Sequence, residues 1–177
     1  MTRWVALLRG VNVGGITIRN ADLAAVFTQL GFTEVRTVLA SGNVRFETDA
    51  AASARSKLKA TVEKALRERF GYDAWIVLVT AAELARAADG FPFDETDANR
   101  QPWLIFCVDD ETARELADAA ATMDATTDPV AAGRGVVYWN PVKGTTVDTP
   151  FAKLIAKAAY KPRTTNRNLR TVRKILA

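Results

Sequence analysis

Val35–Glu47, VRTVLASGNVRFE, decides how this chain folds. Val35–Leu39 and Val44–Glu47 are short runs with β-branched and apolar residues, and Ser41-Gly42-Asn43 supplies the chemistry of a tight turn between them. The stretch therefore predicts a hairpin. Its neighbours give the hairpin a context. Upstream, Trp4–Arg9 is apolar and reads as a buried strand, and a helix follows in which Leu23, Val26, Phe27 and Leu30 share one face. Asn20 can cap that helix and Gly31 can end it. Downstream, Ala54–Phe70 repeats the helical period with Leu58, Val62, Leu66 and Phe70, Gly71 stops it, and Ala74–Val79 is another strand.

The order is thus β-α-β-β-α-β, the ferredoxin-like unit. A short helix at Ala81–Ala88 and the aperiodic stretch DGFPFDETDANRQP interrupt before the pattern begins again. Trp103–Val108 is a strand, Glu111–Ala121 a helix, and Val130–Ala132 and Val136–Trp139 flank the turn GRG. Thr149 caps the next helix, with Pro150 at its first position. No further strand is legible. RTTNRNLRTVRKILA reads as a terminal helix capped by Thr165 or Asn166, with Leu169, Val172, Ile175 and Leu176 on one side and Arg167, Arg170 and Lys174 on another. The expected fold is α+β: two tandem ferredoxin-like subdomains over residues 1–90 and 102–177, the second degenerate and ending in that helix, with 91–101 as connector.

In such a sheet the first and third strands are neighbours. The loop leaving strand one, RGVNVGG (9–15), should therefore touch the Ser41-Gly42-Asn43 turn although about thirty residues separate them. This converges Arg9, Asn12, Gly14, Gly15, Arg19, Ser41, Gly42 and Asn43 on one rim, before the first helix. Glycines admit close backbone approach, free amides and a helix N-terminus favour an anion, and arginine grips phosphate or carboxylate with paired bonds. Turn chemistry alone accounts for Gly14-Gly15 and Ser41-Gly42-Asn43, whereas no turn requires Arg9 and Asn12. The standard cradles are absent: Gly10 and Gly15 have P-loop spacing, but Ile16-Thr17 replaces Lys-Ser/Thr, and no G-x-G-x-x-G follows a strand.

Composition narrows the chemistry. The 177 residues contain no histidine and one cysteine, which rules out Ser-His-Asp and Cys-His catalysis and the usual Cys/His zinc site. No metal or cofactor is implied. Cys107 lies in the strand WLIFC and is expected in the core. Asp109-Asp110-Glu111 reads as a helix start and Lys143-Gly144 as a loop. No apolar run approaches membrane-spanning length, and the first strand is too short for a signal peptide, so a cytoplasmic location is expected. Net charge is +4, yet residues 151–177 hold eight Lys/Arg and no acid, leaving 1–150 at −4. Such a basic segment meets solvent, an acidic surface or phosphate.

RGVNVGG, the following ADL, SGNV and the terminal TTNRNLRTV together resemble the bacterial "domain of unknown function 1697" family, from Val5 to Leu176. The resemblance implies two tandem ferredoxin-like subdomains and no established activity. Carried onto this chain, its motif positions are Arg9, Asn12, Gly14, Gly15, Ser41, Gly42 and Asn43, and at the C-terminus Thr164, Thr165, Arg167, Asn168 and Thr171. Two departures stand out. Ile16-Thr17-Ile18 occupies positions where lysines are frequent in the family, and Leu169 stands where an aromatic is common.

Three functions follow. The first is a binding module for a phosphate-bearing ligand, a nucleotide or nucleic acid, with Arg9 and Arg167 as charge contacts, Gly14 and Gly15 as amide donors, Asn12, Ser41 and Asn43 as orienting groups, and Arg19, Gly42 and Asn168 also counted in the site. The second is an enzyme using a carboxylate, lysine or tyrosine of shifted pKa. The third is an interaction scaffold in which Arg9 and Arg167 are buried structural groups. No stretch specifies an oligomeric state.

Overall fold

β1 (Thr2–Leu8) is buried along five consecutive residues, Trp4 to Leu8, which is why it reads as an unbroken apolar run. The structure, a computed structural model, describes residues 1–11, 15 and 17–177. After β1 come α1 (Asn20–Gln29), β2 (Thr33–Thr37), β3 (Asn43–Thr48), α2 (Arg55–Phe70) and β4 (Ile76–Thr80). The expected hairpin is β2–β3. The four strands form one antiparallel sheet in the order β2-β3-β1-β4.

Alternation along the strands selects what packs. Trp4, Ala6 and Leu8 of β1 join Val44, Phe46, Ile76 and Leu78 on one sheet face, against Leu23, Val26 and Phe27 of α1 and Leu58, Val62 and Leu66 of α2. Phe27, Phe32 and Phe46 cluster there, with ring centroids 4.6 to 6.2 Å apart. The opposite-facing Val5, Leu7, Val77 and Val79 are buried too. Gly71 ends α2 in the left-handed region, φ 74°, its amide bonded to the Arg67 carbonyl at 2.8 Å. The start of α1 differs from expectation. Arg19 is the flanking residue and Asn20 is already helical, so Asn20 is not the cap. The Asp22 carboxylate takes Arg19 Nε at 2.8 Å instead.

The rest of the chain comprises α3 (Ala81–Asp89), β5 (Trp103–Cys107), α4 (Asp110–Ala120), β6 (Val130–Ala132), β7 (Val136–Trp139), α5 (Pro150–Ile155), β8 (Thr164–Asn168) and α6 (Leu169–Leu176). The second sheet is antiparallel in the order β6-β7-β5-β8. Ile105, Cys107, Val137 and Trp139 pack with Leu116, Phe151 and Ile155 from α4 and α5. Thr149 is the expected cap of α5, accepting from the Ala152 amide at 3.1 Å, and at the expected start of α4 Asp109 accepts from the Thr112 amide at 2.8 Å.

β8 corrects the reading of the C-terminus. TTNRN is a strand, not the first turn of a helix, and it pairs with β5 from Thr164↔Cys107 to Asn168↔Trp103. The second sheet therefore has the same strand order as the first and is not missing its last strand. The chain divides into two units, Met1–Leu84 with Lys174–Ala177, and Ala85–Arg173. Among the described residues there are two four-stranded antiparallel sheets and six α-helices, and no helix is long and apolar enough to cross a membrane.

Candidate functional site

The register of the first sheet brings the opening loop to the hairpin turn. Leu7 is paired with Asn43, so β1 ends where β3 begins. The Leu8 amide donates to the Gly42 carbonyl at 2.8 Å, and the Arg9 amide to the Trp75 carbonyl at 2.9 Å. Val11 is buried against the turn: a Cβ on Gly42 would lie 2.9 Å from Leu8 Cβ and 3.1 Å from Val11 Cγ2. Gly42 also has φ +79°, so glycine is needed twice over, for conformation and for space. The expected meeting of loop and turn is thus present at Leu8, Val11 and Gly42.

The turn is built by its own side chains. Asn43 is fully buried, and its Nδ2 donates to the Val38 carbonyl at 2.7 Å and to Ser41 Oγ at 2.9 Å. The Val38 amide donates in return to the Asn43 carbonyl at 2.9 Å. Leu39 holds φ 59°, an uncommon conformation for a γ-branched residue, and is exposed. Asn43 is therefore a turn builder whose amide nitrogen is spent inside the hairpin.

Arg9 is half-buried at the end of β1, and burial lowers the pKa of its guanidinium. Gly15 is exposed with φ +84°, and the space where a Cβ would stand is open. Asn12 and Gly14 lie outside the described residues. Arg19 is exposed but held by Asp22, which also faces Arg69 at 3.7 Å. A carboxylate in the first turn of α1 thus already uses the positive end of that helix.

Arg167 and Asn168 are on β8, in the other unit. Arg167 was expected on an exposed helix face. It is a buried strand residue, its Nη1 donating to Thr165 Oγ1 and to the Asn166 carbonyl, both at 2.8 Å. Burial lowers its pKa to about 10. Asn168 accepts the Arg170 amide at 2.9 Å and so caps α6, the role expected of Thr165 or Asn166. Cys107 is buried as expected, and burial pushes its thiol up to about 12, far from a reactive thiolate. Two residues that complete the rim were not singled out from sequence. Val11 and Trp75 fasten the loop by an apolar side chain and a carbonyl, and of the two only Val11's apolarity in a polar loop was a visible signal.

A family model described as Protein of unknown function (DUF1697) matches residues 1–138, so the TTNRNLRTV stretch lies beyond the matched residues. No curated protein sequence matches. Among solved structures the chain is similar to conserved bacterial protein SP0830 from Streptococcus pneumoniae, with TM-score 0.79 and 19% identity over 99% of this chain and 97% of that one. At that identity the likeness is one of fold.

Proposed function

We propose that this chain, which belongs to the DUF1697 family of proteins of unknown function, is a binding module for a phosphate-bearing ligand. The ligand, a nucleotide or nucleic acid, would sit on the rim formed by RGVNVGG and the Ser41-Gly42-Asn43 turn. The observation that carries the reading is Arg9. A guanidinium drawn partly out of water at a strand end gains more from an approaching anion than a fully solvated one does, because its hydration is already reduced. Gly15, open to solvent in the left-handed region, lets a backbone amide approach the same ligand. We also read each half of the chain as a ferredoxin-like unit, joined by 91–101. Its support is the 2-3-1-4 antiparallel strand order found in both sheets.

Titration with nucleotides and short oligonucleotides tests the rim. Saturable binding should weaken steeply between about 50 and 200 mM salt and disappear in Arg9→Ala. Binding that ignores both salt and Arg9 would overturn the proposal.

A scaffold role is the second reading, and the burial of Arg167 and Asn43 favours it. Under it, Arg9→Ala lowers the thermal midpoint, as Arg167→Ala does, and no phosphate-bearing probe binds at all.

A further inference from the structure

The second unit contains a cleft of about 660 Å³ that the rim does not use, bordered by residues 95–102, Lys143 and the first residues of α6. That volume suits a ligand of nucleotide or sugar-phosphate size. Its walls are fastened to one another. The Lys143 amide donates to the Asn99 carbonyl at 2.8 Å, Gln101 to Pro141 at 3.0 Å, and Leu169 to Pro102 at 2.9 Å. Asp97 Oδ1 accepts the Asn99 amide at 2.8 Å, and Arg100 reaches the carbonyls of Asn140 and Thr126 at 3.2 and 3.1 Å. A cleft held in this way is largely preorganised.

Four cations line it: Arg100, Lys143, Arg170 and Arg173. Arg100 is spent on carbonyls. Arg173 Nη2 holds both oxygens of Glu95 at 2.7 and 3.0 Å, so the cleft already grips a carboxylate from its own wall. Lys143 and Arg170 are exposed, and their side chains make no hydrogen bond or ion pair among the described residues. Asn168 points its Oδ1 at the Arg170 amide, which leaves its Nδ2 as a donor with no partner among the described residues. Two uncommitted cations and an amide donor, beside the positive end of α6, match one small dianion.

We propose that this cleft binds a phosphate monoester, its dianionic phosphate held by Lys143, Arg170 and Asn168 Nδ2, with Glu95 competing for Arg173. A single carboxylate would leave one of the two cations unmatched, whereas the phosphate oxygens suit the guanidinium fork and the ammonium together. The site is independent of the rim, since every residue in it belongs to Ala85–Arg173.

Calorimetric titration of the full chain at low salt with inorganic phosphate, glycerol 3-phosphate and ribose 5-phosphate, none of them a nucleotide, tests it. At least one ester should bind saturably, about five-fold or more weaker in Lys143→Ala and in Arg170→Ala, because a charge-assisted hydrogen bond is lost. Glu95→Gln should bind several-fold tighter, by freeing Arg173, and Arg9→Ala should bind as the parent does. Lys143 and Arg170 are exposed and make no side-chain bond among the described residues, so these variants keep the fold. The proposal is overturned if none of the three probes binds, if both substitutions leave affinity unchanged, or if affinity is lost with Arg9→Ala and not with Arg170→Ala.

Discussion

Gly42 joins two demands that seldom fall on one residue. Its φ of +79° excludes most side chains, and Leu8 and Val11 occupy the space a Cβ would need. Gly42→Ala should cost roughly 2–4 kcal/mol, adding a left-handed penalty to an overpacked contact with β1. In a chain of this length that lowers the thermal midpoint by about 5–15 °C. Gly71→Ala is the control, because Gly71 has nearly the same φ, +74°, with nothing within 4 Å. It should cost only about 1 kcal/mol. Equal losses in differential scanning calorimetry would show that the Leu8–Val11 contact contributes nothing. From sequence, glycine and asparagine in SGN announced a turn, which local chemistry specifies. That Gly42 also makes room for Leu8 depends on a strand thirty residues earlier, and no local pattern contains it.

α6 and β8 show at the level of elements where pattern reading succeeds and where it stops. The apolar spacing of Leu169, Val172 and Ile175 is helical, and all three are buried. Arg45 Nη1 reaches the Ile175 carbonyl at 3.0 Å, satisfying a group that the helix end leaves open. Burying three such side chains contributes about 1.5–3 kcal/mol each, a sum comparable to the whole stability of a domain. Ending the chain at Asn168 should therefore abolish cooperative unfolding, read by circular dichroism, and a sharp transition near the parent midpoint would contradict this account. TTNRN is polar and adjoins a helix, so by local pattern its threonines and asparagines read as caps. Pairing with β5 made it a strand: the ladder satisfies its backbone, and Thr164, Thr165 and Arg167 are buried there.

Across the whole molecule, the absence of histidine should give an unusual pH profile. No side chain with an ordinary pKa near 6.5 is present, so the thermal midpoint should be flat from about pH 5 to 8. Below that plateau, carboxylates held under their usual range matter: Asp109 by the Thr112 hydroxyl and amide, Glu115 by Arg163, Asp124 by Thr126. A depressed folded pKa contributes stability above the unfolded value, about 3.9–4.3, and loses it as pH falls through the folded one. Decline should therefore begin near pH 4. At the alkaline end the sign reverses for Cys107. Its raised pKa contributes stability below the unfolded value of about 8.5, and that contribution is lost as pH climbs toward about 12. A midpoint that changes between pH 5 and 8 would sink this prediction.

By itself the sequence determined the hairpin, the six helices with the cap Thr149, the core position of Cys107, and the approach of the loop leaving β1, at Val11, to the SGN turn. Those follow from turn chemistry, helical periodicity and the neighbour rule of one sheet topology, all of which act over short spans or simple order. Only the tertiary structure decided that TTNRN is a strand, that Arg167 is buried, that Gly42 makes room for Leu8, and that Lys143 and Arg170 border one cleft. Each of these depends on a partner distant in the chain, and backbone pairing and burial across such distances leave no periodic mark on the residues that take part.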